Sequence, residues 1–198
     1  MKIKKNKVRK LLFVLLLFLL LSFIFGILFV GLLSDESKKL IVDSVSVYFN
    51  NVNSIKGDNF KLVLELFLGD FLLYLFVWIM GISVLGVVFS LLVFTIKAFL
   101  AGFLFCSVIY TYGVKGILLA FIYMIPHFIS LFICLMICYY AISFSLYLYK
   151  YVFRKCEFNI GNIMTRYLRL ALISFGGIFI NSLINVFIIN NLLKLFNF

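Results

Sequence analysis

Long apolar runs dominate the chain, and charge is confined to the stretches between them. The uncharged runs cover 11–34, 71–96, 98–114, 116–149 and 170–193. A helix needs about 20 apolar residues to cross a hydrocarbon core roughly 30 Å thick. The runs 11–34, 71–96 and 170–193 each predict one crossing, and 98–114 sits at the lower limit. As one straight helix, 116–149 would be about 51 Å long, too much for a simple crossing. The single proline, Pro126, lies inside that run. Proline removes a backbone donor and pushes the residue before it out of helical angles. The expectation is a short helix over 117–125, a break at Pro126-His127 and a second helix over 128–149; a tilted helix kinked at Pro126 is the alternative. A break inside the membrane must be buried in protein or line a wet cavity. The predicted fold is therefore all-α, a polytopic transmembrane helix bundle of about five spans with the fourth broken or kinked at Pro126.

A different pattern occupies 35–70. Ile41, Val45, Tyr48, Val52 and Ile55 recur at three- and four-residue steps, with Asp43, Ser44, Ser46, Asn50, Asn51 and Asn53 between them. That period predicts an amphipathic helix. The residues 53–59 read as a turn, and a second helix is expected to start near Asn59 and run into the second span. The segment is too short to bury a core of its own, so it must pack on the membrane surface, the bundle or a partner. Its apolar stripe is the candidate partner-facing surface.

Composition reinforces lipid as the solvent. Of 198 residues, 66% are hydrophobic and 13% charged, and the mean hydropathy is +1.23. Soluble domains carry roughly a quarter of their residues as charges. The net charge of +11 would suggest nucleic acid on a folded surface, but these charges cluster between apolar runs as topology signals do, so no nucleic-acid partner is expected. The basic tail 1–10 precedes an apolar run too long for a signal peptide, without a good cleavage site, so an uncleaved anchor is expected. The tail would also attract anionic membrane lipid, as a solvated electrostatic effect. With the N-terminus in the cytoplasm, twelve of eighteen Lys and Arg fall inside, including Lys97 and the basic loop 150–169, and six of seven acids fall in 35–70. The positive-inside rule thus predicts a multi-pass cell-membrane protein, N-terminus cytoplasmic and C-terminus extracytoplasmic. Tyr74 and Trp78, then Tyr147, Tyr149 and Tyr151, suit interfacial belts.

The chemistry of the spans looks sparse. After Asp70 the only acid is Glu157, and His127 is the only histidine. Ser83 or Ser130 could pair with His127, but neither lies in a nucleophile-turn motif, and no zinc or phosphate-binding motif occurs. Cys134 and Cys138 share a helix face and read as small apolar residues; Cys106 and Cys156 stand apart. No catalytic residue, cofactor or metal is expected, and His127 reads as a helix-break residue. Small residues mark candidate helix-packing faces: Gly81, Ser83, Gly86, Ala98, Gly102, Ala141 and Ser145, with Gly176 and Gly177 in the fifth span. A scaffold or binding protein is favoured over an enzyme. The next alternative is a transport or export component with a cavity at the Pro126-His127 break, and an intramembrane hydrolase ranks last.

The middle of the chain resembles the stage II sporulation protein M family. The resemblance is carried by Trp78-Ile-Met-Gly81-Ile-Ser83-Val-Leu-Gly86, Lys97-Ala-Phe-Leu-Ala-Gly102-Phe103, Gly116-Ile-Leu-Leu-Ala-Phe121 leading to Pro126-His127, and Ala141-Ile-Ser-Phe-Ser-Leu146. It is best over about 60–150, and departs where Ala98 and Phe128 replace the family's frequent Gly and Asn. The resemblance implies a sporulation-septum protein of endospore-forming bacteria. It further implies a non-enzymatic scaffold of the engulfment complex that anchors septal peptidoglycan hydrolases, the stage II sporulation proteins D and P. A partner's transmembrane helix would then dock on the small-residue faces, while 35–70 positions its outer domain.

Overall fold

A computed structural model describes residues 5–54, 59–154 and 160–193, and these are almost wholly helical. Helix α1 spans Lys5–Leu32; after its basic first turns it is apolar on every face from Leu11 on, as a membrane-crossing helix must be. Helix α2, Asp35–Ser54, starts behind Ser34, whose Oγ accepts from the Ser37 N–H at 3.4 Å. Asp35 and Glu36 in the first turn complement the positive end of the helix dipole. Helix α3, Asn59–Gly81, begins where the turn signal places it.

The continuous helix expected over 71–96 does not form. Helix α3 ends at Gly81, a tight turn over 82–85 follows, and α4 starts at Gly86. The turn is closed by Ser83 N–H to Met80 O at 2.9 Å and Gly86 N–H to Ser83 O at 3.1 Å. Gly86 is needed there: a Cβ would run into the Met80 carbonyl and stand 2.8 Å from the Gly81 Cα. Asp70 and Lys97 are consequently not boundary residues. They lie in the interiors of α3 and α4.

Helix α4 covers Gly86–Arg154, which would reach about 100 Å if straight. It instead reverses at Gly113, the one residue inside it with non-helical angles (φ 59°, ψ −135°), where glycine tolerates the left-handed region. The arms 86–112 and 114–154 lie antiparallel, as two contacts between them and one from the preceding turn show. Phe105 packs edge-on to Phe121 at 5.5 Å, the Cys138 thiol donates to Ser90 O at 3.4 Å, and Ser145 Oγ donates to Val84 O at 2.9 Å. The second arm runs through Pro126 without leaving helical geometry. The predicted break at Pro126-His127 is therefore corrected: one lost hydrogen bond is tolerable in a helix flanked by others, and the reversal sits at the glycine.

Helix α5, Ile160–Ile184, widens into a π-turn over Asn185–Ile189 and ends in the short α6, Asn190–Leu193. Val186, Ile189 and Leu193 are buried, and Ile189 and Leu193 share a cluster with Phe49 of α2 and Val108 and Leu119 near the α4 reversal. Among the described residues four helices, α1, α3, α4 and α5, are long and apolar enough to cross a membrane. Because α4 doubles back, they supply five membrane-length rods. Helix α4 is central, packed against by α1, α2, α3 and α5.

Two glycines set the α1–α4 contact. A Cβ on Gly26 would collide with the Phe99 carbonyl, and one on Gly102 with the Phe23 carbonyl. Backbone therefore lies on backbone, the close approach that drives helix association in lipid.

Candidate functional site

Asp70 is the central residue of α3, and Tyr74, one turn on, shares its face toward α4. The Asp70 carboxylate makes two short bonds. Oδ1 accepts from Lys97 Nζ of the first α4 arm at 2.6 Å, and Oδ2 accepts from Ser130 Oγ of the second arm at 2.6 Å. The Tyr74 hydroxyl lies 2.7 Å from Ser130 Oγ and donates to Ser130 O at 2.8 Å. Lys97 Nζ sits 4.3 Å from the centre of the Tyr74 ring, in cation–π range. Three rods thus meet at one charged node, and neither charge faces lipid unpaired.

The expectation that the spans are nearly bare is corrected here. A charge at the bilayer centre costs at least about 2.5–3.5 kcal/mol, so intramembrane ionisable groups pair and mark function or assembly. Sequence reading placed Asp70 and Lys97 at opposite membrane faces because each ended an apolar run. A charge can be buried where its partner meets it, and the 27-residue separation hid that pairing.

Near the node, the buried Asn181 donates through Nδ2 to Pro126 O at 3.1 Å, while its Oδ1 has no hydrogen-bond partner among the described residues. His127 is half-buried and packs edge-on to Tyr123 at 5.0 Å. It lies on the node's side of the helix, three residues before Ser130. Pro126 and His127 thus mark a continuous helix beside the charged node.

The small residues predicted as packing faces are consumed by contacts within the chain. A Cβ on Gly81 would meet the Tyr167 hydroxyl and stand 2.8 Å from the Ala141 Cβ. Tyr167 donates to Trp78 O at 2.7 Å and stacks between Trp78 at 5.7 Å and Phe144 at 4.7 Å. Ala98 is fully buried with Met124 and Leu131, Gly102 faces α1, and Ser145 bonds Val84 O. Ser83 and Gly86 shape the turn, where Ser83 Oγ donates to Met80 O at 3.0 Å. A Cβ on Gly177 would stand 3.3 Å from the Ile133 Cδ1, and one on Gly176 would meet nothing within 4 Å. A partner helix docking on the 81, 98, 102 and 141 faces is thereby corrected: the chain's own helices fill them.

Part of the α2 stripe leans on the bundle: the half-buried Ile41 and Val45 and the exposed Tyr48 line a hollow shared with Phe103, Val108 and Tyr123, and Phe49 is buried. Ile55 lies outside the described residues, as does Cys156, and the surroundings of the Val52 side chain are not described. Phe49, at the step after Tyr48, is the anchor that periodicity missed. Tyr74 and Trp78 are also not belt residues: Tyr74 is buried at mid-helix and Trp78 is half-buried against Tyr167. Cys134 and Cys138 approach to 3.9 Å between sulfurs, and no metal-holding group of ligands occurs among the described residues.

A model of the stage II sporulation protein M family matches residues 14–192. The chain belongs to that family. The matched range takes in most of α1 and all of α2, α3, α4 and α5. Family membership makes this chain a sporulation-related membrane protein. No curated protein and no solved structure matches the chain.

Proposed function

We propose that the chain is a non-enzymatic membrane scaffold of the sporulation engulfment complex, positioning septal peptidoglycan hydrolases. The observation that carries this reading is the fixed attitude of α2. Phe49 anchors the helix to the closed end of the bundle, where α6 and the α4 reversal meet, and Lys39, Asp43 and Asn50 are left exposed. A polar surface docked at one end of a membrane bundle is what a positioning element requires. With Lys97 withdrawn into the bundle, eight of the remaining twelve basic residues among those described still fall on the end opposite α2. The positive-inside rule then puts the N-terminus in the cytoplasm and α2 on the wall side. The stage II sporulation proteins D and P are the partners this reading names, at the sporulation septum.

The test is deletion of the gene followed by membrane-dye imaging of sporulating cells, with a fluorescent hydrolase in the same strain. Stalled engulfment and a dispersed hydrolase are expected. Normal engulfment with the hydrolase correctly placed would sink the proposal.

A second reading, a transport or export component, draws on the charged node and the unpartnered Asn181 Oδ1 beside Pro126. The double variant Asp70→Leu/Lys97→Leu separates the two, because it removes both charges together. A scaffold keeps engulfment if the bundle still assembles, whereas a transporter loses it.

A further inference from the structure

At the end of the bundle opposite α2, a groove of about 640 Å³ lies between α1, the second arm of α4 and α5. Its lining is mostly apolar, with Leu12 from α1, Met136 from the second arm of α4 and the exposed Ile173 from α5, while Arg166 and Arg169 lie nearer the start of α5. Arg166 and Arg169, three residues apart, share one face of α5. They end the charged stretch directly before the uncharged run 170–193, the depth at which arginine reaches the lipid headgroups. Neither takes part in the two ion pairs found among the described residues. An apolar trough beside two exposed guanidinium groups fits an amphiphile with an anionic head.

We propose that this groove is a specific site for one anionic phospholipid, its phosphate held by Arg166 and Arg169 and an acyl chain lying over Leu12, Met136 and Ile173. The site differs from the diffuse attraction of the basic tail, because it has walls as well as charge. In the orientation proposed above it opens to the cytoplasmic leaflet, but the binding chemistry does not depend on that orientation or on the scaffold role.

The test uses the full-length chain in nanodiscs of phosphatidylcholine mixed with phosphatidylglycerol, with retained lipid counted by native mass spectrometry. Two arginines near the headgroups should give a preference for phosphatidylglycerol on the order of tenfold to thirtyfold. Arg166→Gln/Arg169→Gln should abolish it, and Arg166→Lys/Arg169→Lys should keep most of it. Ser143→Phe should also abolish retention with both charges intact, because Ser143 lines the groove. Lys38→Gln/Lys39→Gln, at the other end, should leave the preference unchanged. If the glutamine pair fails to fold, the lysine pair and Ser143→Phe still decide. Equal retention of the two lipids would overturn the proposal. So would a preference that survives Ser143→Phe, displacement of the lipid by inorganic phosphate alone, or a second copy of the chain cross-linked through the groove.

Discussion

Helix α4 is held by its neighbours in two opposite ways. Against α1 the contact is made by absence: Gly26 and Gly102 let two backbones touch, with no polar side chain across the interface at that point. Against α3 it is made by charge, through Asp70, Lys97, Ser130 and Tyr74. Lipid tails are as apolar as leucine, so burying leucine gives little drive for two helices to associate there. What remains is tight packing or internal polarity, and this chain uses one on each side of its central helix. The packing contact should fail gradually as atoms are added. The charged contact should fail asymmetrically, since half of it is worse than none.

The sharpest test of that asymmetry is Asp70→Leu beside Lys97→Leu. Each single variant leaves a charge without its partner and should cost about 3–5 kcal/mol, while the double variant should recover most of it. Denaturant titration of the full chain in mixed micelles gives the cycle, and additive losses would show that the pair is not coupled. Phe49→Ala should come next, costing about 3 kcal/mol and releasing α2. Faster hydrogen exchange confined to α2 would mark that release, whereas uniform exchange would show that α2 is not a separate clamp. Gly102→Ala should cost about 1–3 kcal/mol through overpacking against the Phe23 carbonyl. Gly176→Ala, where a Cβ meets nothing, should be neutral in the same titration. The smallest deficit, about 1–2 kcal/mol, is expected for Ser130→Ala, which removes one bond to Asp70 but leaves Lys97 in place.

Some features were legible because they depend on local pattern. The amphipathic period of α2 and the start of α3 at Asn59 follow from spacing and turn residues, and the polytopic fold from the lengths of the apolar runs. Pro126 misled because proline's effect depends on its surroundings: it breaks an isolated helix and is carried by a packed one. Gly113 itself was not singled out, although the end of one apolar run at 114 and the start of the next at 116 put a reversal within two residues of it. That the glycine carries the turn shows only in its backbone angles. The small residues were found, but their partners were not, since a glycine does not name the helix that will lie against it.

The sequence by itself determined that this chain lives in lipid, that it is helical, and that α2 is unlike the rest, because each follows from the solvent preference of consecutive residues. Only the tertiary structure decided what Asp70 and Lys97 are for. Read in order along the chain, each is a charge that ends an apolar run. Brought within 2.6 Å of each other in the interior of the bundle, they become the node that joins α3 to both arms of α4. Coulombic pairing acts through space rather than along the chain, and which charges meet is fixed only when the helices have packed.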